Sequence, residues 1–392
     1  MTQVRSPAAR LIAAVLTNMA MGVIYVWGLF LLPLETFLAR PRADLSLVAS
    51  LALVAFTVGM VIHDRVLKRL GLAKFAALAF AFAACGHLLF AAFPTYPGLA
   101  LGYGVLFGIG AGLGYGLALA LATAVANGLR AFAVGLAMAA FASSGIFLPM
   151  VLGPLIRTTS PPVSFSVIGA GMLMAGLFVI ALLLNGTGAR DGDIELAERP
   201  SAASPSFFDS GVVTLGIVFF AICYAGLLGV SQAAGMVASN GLSPRVVDTS
   251  LVMLTAGYLG GSLLGGKLVE IISGRATLVV ASTLAALGLC FLNLSAPMLV
   301  LAGALAVGFA FGSSASFMPI LIGERFGPAM IGPVYGKLIA FYGLAGLIAP
   351  WLSGVLFEQT KGYMPAVSIG IALCVLSVLL GARMRTASPP IA

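Results

Sequence analysis

The sequence predicts an all-α polytopic membrane protein, with twelve transmembrane helices in two pseudo-symmetric six-helix bundles. Three observations carry that expectation. Of the 392 residues, 61% are hydrophobic and 8% are charged, whereas soluble domains run near about 25% charged. The apolar residues gather into twelve runs, each close to the roughly 20 residues that cross a hydrocarbon layer. Small residues also recur at a fixed spacing in the two halves of the chain.

Taken in order, the runs are 11–38, 46–63, 73–93, 97–126, 131–156 and 163–185, then 209–236, 246–271, 276–294, 296–322, 330–357 and 363–382. The first is too long for the apolar region of a cleavable signal and reads as the first membrane helix. Between the sixth and seventh lies a polar stretch with Asp191, Asp193, Glu195, Glu198, Arg190 and Arg199 set in Ser, Pro and Ala. Such a composition reads as a flexible linker. The expected organisation is a bundle at 1–187, a cytoplasmic linker at 188–208 and a second bundle at 209–392.

Basic residues set the orientation. With the N-terminus cytoplasmic, thirteen fall inside: Arg5, Arg10, Arg65, Lys68, Arg69, Lys74, Arg130, Arg190, Arg199, Arg275, Arg325, Arg383 and Arg385. Five fall outside: Arg40, Arg42, Arg157, Arg245 and Lys361. The chain is therefore expected in a plasma membrane, a bacterial inner membrane, with both termini cytoplasmic. The formal charge of +8 is spread over these short segments, which is a topology signal and not a nucleic-acid surface. Cys85, Cys223, Cys290 and Cys374 all lie in apolar runs, without the spacing of a disulfide framework or metal site. No cofactor, no metal and no enzymatic nucleophile–base set is expected.

The halves repeat. Gly108 and Gly112 match Gly308 and Gly312, 200 residues on, while Gly135, Gly145 and Pro149 match Gly336, Gly346 and Pro350, 201 on. Two parallel halves are a layout of secondary transporters, whose substrate sites lie near the bilayer midplane. Gly104, Gly108, Gly112 and Gly116 recur every four residues, a stripe for close helix packing. The GIGAGLG at 108–114 lacks the strand–turn–helix setting of a dinucleotide loop.

Twelve acids occur, all at helix ends, in loops or in the linker, and His63 and His87 lie near helix ends. No titrating group at mid-membrane is evident, so a co-transported proton is expected on the solute or on an end-of-helix group. Lys337 lies about six residues into the eleventh run, roughly 9 Å deep. It reads either as a snorkelling or gating cation or as a substrate ligand. Tyr335 and Tyr342 are seven apart and share a face. Tyr342, with Tyr25, Tyr115 and Tyr224, falls at central depth, where a hydroxyl needs a partner or a shared cavity. Asp64, Arg65, Lys68 and Arg69 read as a charged latch between the second and third helices.

These residues resemble the major facilitator superfamily. DRVLKR (64–69) is similar to its loop 2–3 motif, with Met60 and Leu67 where two glycines are usual. GVIYVWGLFLLPL (22–34), the AGLLGVSQAA that ends at 234, and FGPAMIGPVYGKLIAFYGLAGLIAPWLSG (326–354) resemble the oxalate/formate antiporter and monocarboxylate porter branch. The resemblance implies that Tyr25, Tyr115, Gln232 and Tyr342 line a central cavity. Oxalate carriers place a lysine where Tyr342 stands and an arginine near Gly261, so a dicarboxylate is not expected.

The expected function is secondary active or facilitative transport of a small organic anion, a monocarboxylate by preference, by alternating access. The alternatives are export of a neutral or more apolar compound, and a non-transporting membrane sensor or assembly factor on a transporter fold. The expected partners are a small-molecule substrate, a co-transported proton or exchanged anion, and the lipid bilayer. The chain is expected to be a monomer.

Overall fold

A computed structural model describes residues 7–124, 130–186, 205–327 and 330–384. The linker acids and arginines up to residue 204 lie outside these ranges, as do Arg5 and Arg385 and the side chains of Arg130 and Arg157. The described residues form helices and short connections, and among them twelve helices are long and apolar enough to cross a membrane. They are α1 (Ala8–Leu38), α2 (Arg42–Leu70), α3 (Leu72–Ala92), α4 (Tyr96–Thr123), α5 (Arg130–Thr158) and α6 (Pro161–Gly186). The second six are α7 (Ser210–Ser239), α8 (Pro244–Ile272), α9 (Gly274–Leu292), α10 (Pro297–Phe326), α11 (Ile331–Thr360) and α12 (Met364–Arg383). They fall into two compact units, Met1–Glu198 and Arg199–Ala392.

Within each unit the second and fourth helices interlock through glycine. A Cβ on Gly108 would meet the Ala52 carbonyl, and one on Gly112 the Phe56 carbonyl. In the second unit Gly308 meets Leu254 and Gly312 meets Tyr258. Reciprocally, Gly59 lies against Ile109 and Leu113, and Gly261 against Phe309 and Ser313. The repeat therefore extends to α2 and α8 at a spacing of 202, which pairs Ala52 with Leu254, Phe56 with Tyr258 and Gly59 with Gly261. With no side chain between them the backbones come close enough for dispersion to act along the whole stripe, the device that joins helices where lipid offers no hydrophobic drive.

The same register joins the third helix of each unit to the next. Gly86 would meet the Phe107 amide nitrogen and the Gly102 carbonyl, five residues apart. Gly288 would meet the Val307 nitrogen and the Gly303 carbonyl, four residues apart. The extra residue in the first unit is a π-helical stretch, Ala100–Phe107, inside α4. α1 is interrupted too, by a 3₁₀ segment at Gly22–Val26.

Two expectations change here. The DRVLKR stretch is not a loop but the last two turns of α2, and Gly71 alone separates α2 from α3 at φ 73°. Lys68 pairs with Asp64 one turn earlier on its own helix, at 2.8 Å, and does not reach a neighbouring helix end. The matching turn in the second unit is Ser273, at φ 79°. Arg42, read as a loop cation, lies in the first turn of α2, nearly buried, and pairs with Glu35 of α1 at 2.8 Å.

Candidate functional site

In the first unit the 3₁₀ segment carries Tyr25, and Gly22 one turn earlier lets α1 approach the α5 backbone at Phe141. The Tyr25 ring meets the Phe141 ring edge-on at 5.0 Å. Tyr115 of α4 meets Phe141 at 5.1 Å and Phe56 of α2 at 5.5 Å. The Tyr115 hydroxyl donates to Met138 Sδ at 2.8 Å. Four rings from four helices thus form one cluster, with edge-to-face contacts worth about 0.5–1.5 kcal/mol each beyond area burial.

In the second unit the buried Tyr342 of α11 stacks on Phe311 of α10 at 6.5 Å, and Phe311 meets Tyr258 of α8 edge-on at 5.1 Å. Tyr335, two turns before Tyr342, has its ring 6.2 Å from Phe219 of α7. The two clusters share two matching positions. Phe141 and Tyr342 are 201 residues apart, and Phe56 and Tyr258 are 202 apart. Phe56, Phe141, Tyr258 and Phe311 do not stand out in the sequence, because phenylalanine in an apolar run is ordinary. The glycine register would have found one of them: carried from Tyr342 it arrives at Phe141.

Other expected ligands are placed elsewhere. Gln232 is fully buried in α7. Its Oε1 accepts from the Tyr363 hydroxyl at 3.0 Å, and its Nε2 donates to the Pro350 carbonyl at 3.4 Å. It ties α7 to α11 and to the start of α12. Tyr224 is fully buried next to Phe220 and against Gly370 of α12. The structure does not bring it to Tyr342. Lys337 is half-buried and donates to the carbonyl of Pro205, just before α7. Phe207 of that segment stacks on Phe341 at 5.6 Å. The α11 lysine therefore holds the approach to α7, while Tyr342 lies about 140° round the helix from it.

No family model matches the chain. It is 22% identical over 349 residues to YhjX of Escherichia coli strain K12, described as an uncharacterized MFS-type transporter, covering 86% of this chain and 85% of that protein. Its fold matches that of the xylose transporter XylE from E. coli in a partially occluded inward-open conformation, with a TM-score of 0.74 over 97% of this chain and 98% of that one, at 14% identity. A second XylE structure, the proton:xylose symporter bound to 6-bromo-6-deoxy-D-glucose, gives 0.71 at 13% identity, covering 97% and 96%. The chain has the major facilitator fold.

Its twelve apolar helices and its likeness to an MFS-type transporter mark it as a multi-pass membrane protein. The charged end of α2 holds Asp64 half-buried beside exposed Arg65, Lys68 and Arg69. Its Oδ2 takes Lys68, while Oδ1 is buried with no hydrogen-bond partner in the protein.

Proposed function

We propose that this major facilitator protein carries a small, weakly polar organic solute across a bacterial inner membrane by alternating access. In this reading each unit carries its own solute-contacting cluster: Tyr25 and Tyr115 with Phe56 and Phe141 in the first, and Tyr342 with Tyr258 and Phe311 in the second. Tyr335 is placed near them as an outlying contact, and both termini are cytoplasmic, with 188–208 as the linker. The observation that supports the reading is the pair of aromatic clusters at matching positions. Aromatic faces and hydroxyls favour an apolar body bearing a few hydrogen-bonding groups.

Charge supports it as well. Along the helices that supply the clusters, the acids, lysines and arginines stand within two turns of the helix ends. A second reading, a monocarboxylate, draws on Lys337: its cation is half-buried on the helix that carries Tyr342. A solute-dependent release of Lys337 from Pro205 would then supply the counter-charge.

Counterflow in proteoliposomes tests both, using labelled lactate, pyruvate, formate and oxalate beside neutral solutes of similar size. Exchange of a neutral solute that survives Lys337→Ala supports the first reading. Exchange of a monocarboxylate that Lys337→Ala abolishes supports the second. No flux of any solute would favour a sensor or assembly role.

A further inference from the structure

The first unit contains a second cluster that the aromatic pair does not use. His87 of α3 was expected near a helix end, and it lies five residues from the end of α3, yet it is fully buried. Its Nδ1 is 2.9 Å from the Ala83 carbonyl. A carbonyl only accepts, so Nδ1 carries the proton and Nε2 presents a lone pair. Nε2 has no hydrogen-bond partner in the protein. The same holds for Trp27 Nε1 and Tyr103 Oη. Tyr103 links the three: its ring is 4.9 Å from Trp27 and 5.7 Å from His87. Ser164 Oγ, beside Phe165 in the chain, is a fourth buried atom without a partner.

Polar atoms left unpaired in a dry interior cost about 1–3 kcal/mol each. Three carried on adjoining rings, one acceptor, one donor and one hydroxyl that does both, match the needs of a water molecule.

The scaffold does not require this cluster. In the second unit the glycine register places Leu289 at the position of His87, Ala304 at that of Tyr103 and Val307 at that of Phe107. All three are fully buried and apolar. The first unit departs from its twin in polarity and in backbone at one place, since Tyr103 and Phe107 both lie in the π-helical stretch. Single inserted residues of this kind gather at functional sites.

We propose that His87 Nε2 is the proton acceptor of an internal water site, completed by Tyr103 Oη and Trp27 Nε1, through which a proton accompanies the solute. The proposal rests on the transporter reading. In the step, a hydrated proton gives up one O–H bond and leaves water, while the Nε2 lone pair forms the new N–H bond. Release is the reverse. The imidazolium faces Phe107 at 4.5 Å and Phe165 at 5.5 Å, within the roughly 6 Å over which aromatic rings stabilise a cation.

The ionisable groups around the site are few. α6 carries none among Pro161–Gly186. α4 brings Tyr96, Tyr103 and Tyr115, and α3 itself brings Lys74 and the exposed Cys85. α2 has Arg42 and Asp44 in its first turn, with His63 and the Asp64 to Arg69 group in its last two turns. α1 adds Arg10 and Glu35, and Glu35 pairs with Arg42. No carboxylate is hydrogen-bonded to His87.

The chain has two histidines, so His63→Gln leaves His87 as the sole imidazole for nitrogen-15 NMR of the full chain in nanodiscs. The expected result is a reversible move of the Nε2 signal from the lone-pair to the protonated position as the pH is lowered from about 8 to about 4. Tyr103→Phe is expected to displace the midpoint by roughly half a pH unit or more. A signal that stays fixed while the protein remains folded, or a midpoint that Tyr103→Phe leaves untouched, overturns the proposal.

In proteoliposomes with a solute found by counterflow, His87→Leu is expected to lower accumulation driven by a pH gradient about ten-fold more than it lowers counterflow. Equal loss of both would overturn the proton role. Absence of all flux in the unmodified protein would sink the transporter reading, and the NMR titration would still decide the proton site.

Discussion

The two units share a scaffold and differ in what they bury within it. Glycine contacts pair α2 with α4 and α8 with α10 residue for residue, and Gly86 with Gly288 extends the match to the third helices. Where the first unit sets His87, Tyr103 and a π-helical stretch, the second sets Leu289, Ala304 and an α-helical turn. Backbone contact fixes the fold, because a glycine against a carbonyl tolerates no added atom. Side chains one turn away are free to diverge. A matched pair inside one chain is thus an internal control: what both units keep serves the scaffold, and what only one keeps is a candidate for function.

The largest expected effect tests the shared clusters. Phe141→Ala and Tyr342→Ala occupy matching positions, and each is expected to lower solute exchange by about a hundred-fold or more, near 3 kcal/mol at the transition state. If only one does so, the clusters are not equivalent in use.

The shared scaffold comes next. Gly112→Val and Gly312→Val each force a side chain into a carbonyl of the partnering helix, at a cost of about 1–3 kcal/mol or more. Thermal unfolding of the purified variants should show equal losses. Unequal losses would break the match between α2–α4 and α8–α10.

Converting the first unit toward its twin should be gentler. His87→Leu with Tyr103→Ala removes two unpaired buried polar groups, so the unfolding midpoint is expected to hold or to rise, apart from a cavity at residue 103. A collapse of stability would mean that the polar cluster supports the fold.

The smallest effect concerns the matched turns. Ser273 holds a φ of 79° where the first unit has Gly71 at 73°. Ser273→Gly should relieve about 1 kcal/mol of backbone strain, less what is lost with the Ser273 cap on the Ala276 nitrogen. Gly71→Ser should destabilise by a similar amount. Chemical denaturation of both variants gives the comparison, and opposite signs are expected.

The twelve spans, the pairing of Gly108 and Gly112 with Gly308 and Gly312, and the transporter class were legible in the residues. Hydrophobic length and glycine spacing are local properties, and a bilayer turns them directly into helices and contacts. Tyr25, Tyr115 and Tyr342 were legible as unusual rings at central depth. Three things were not. The role of Gln232 depends on Tyr363, 131 residues away, whose hydroxyl it accepts. The direction of Lys337 depends on Pro205, beyond the reach of any helical spacing. His87 looked peripheral by its place in the run, because distance from a helix end measures depth along one axis and says nothing of burial among neighbouring helices.

By itself the sequence determined that this chain spans a membrane twelve times in two repeating halves, because apolar length and small-residue period act within single helices. Only the tertiary structure decided which rings meet, which polar side chains find partners, and that α4 carries a π-helical stretch where Tyr103 meets His87. Those outcomes depend on the rotation of each helix against its neighbours, which is fixed where glycine lets the backbones touch.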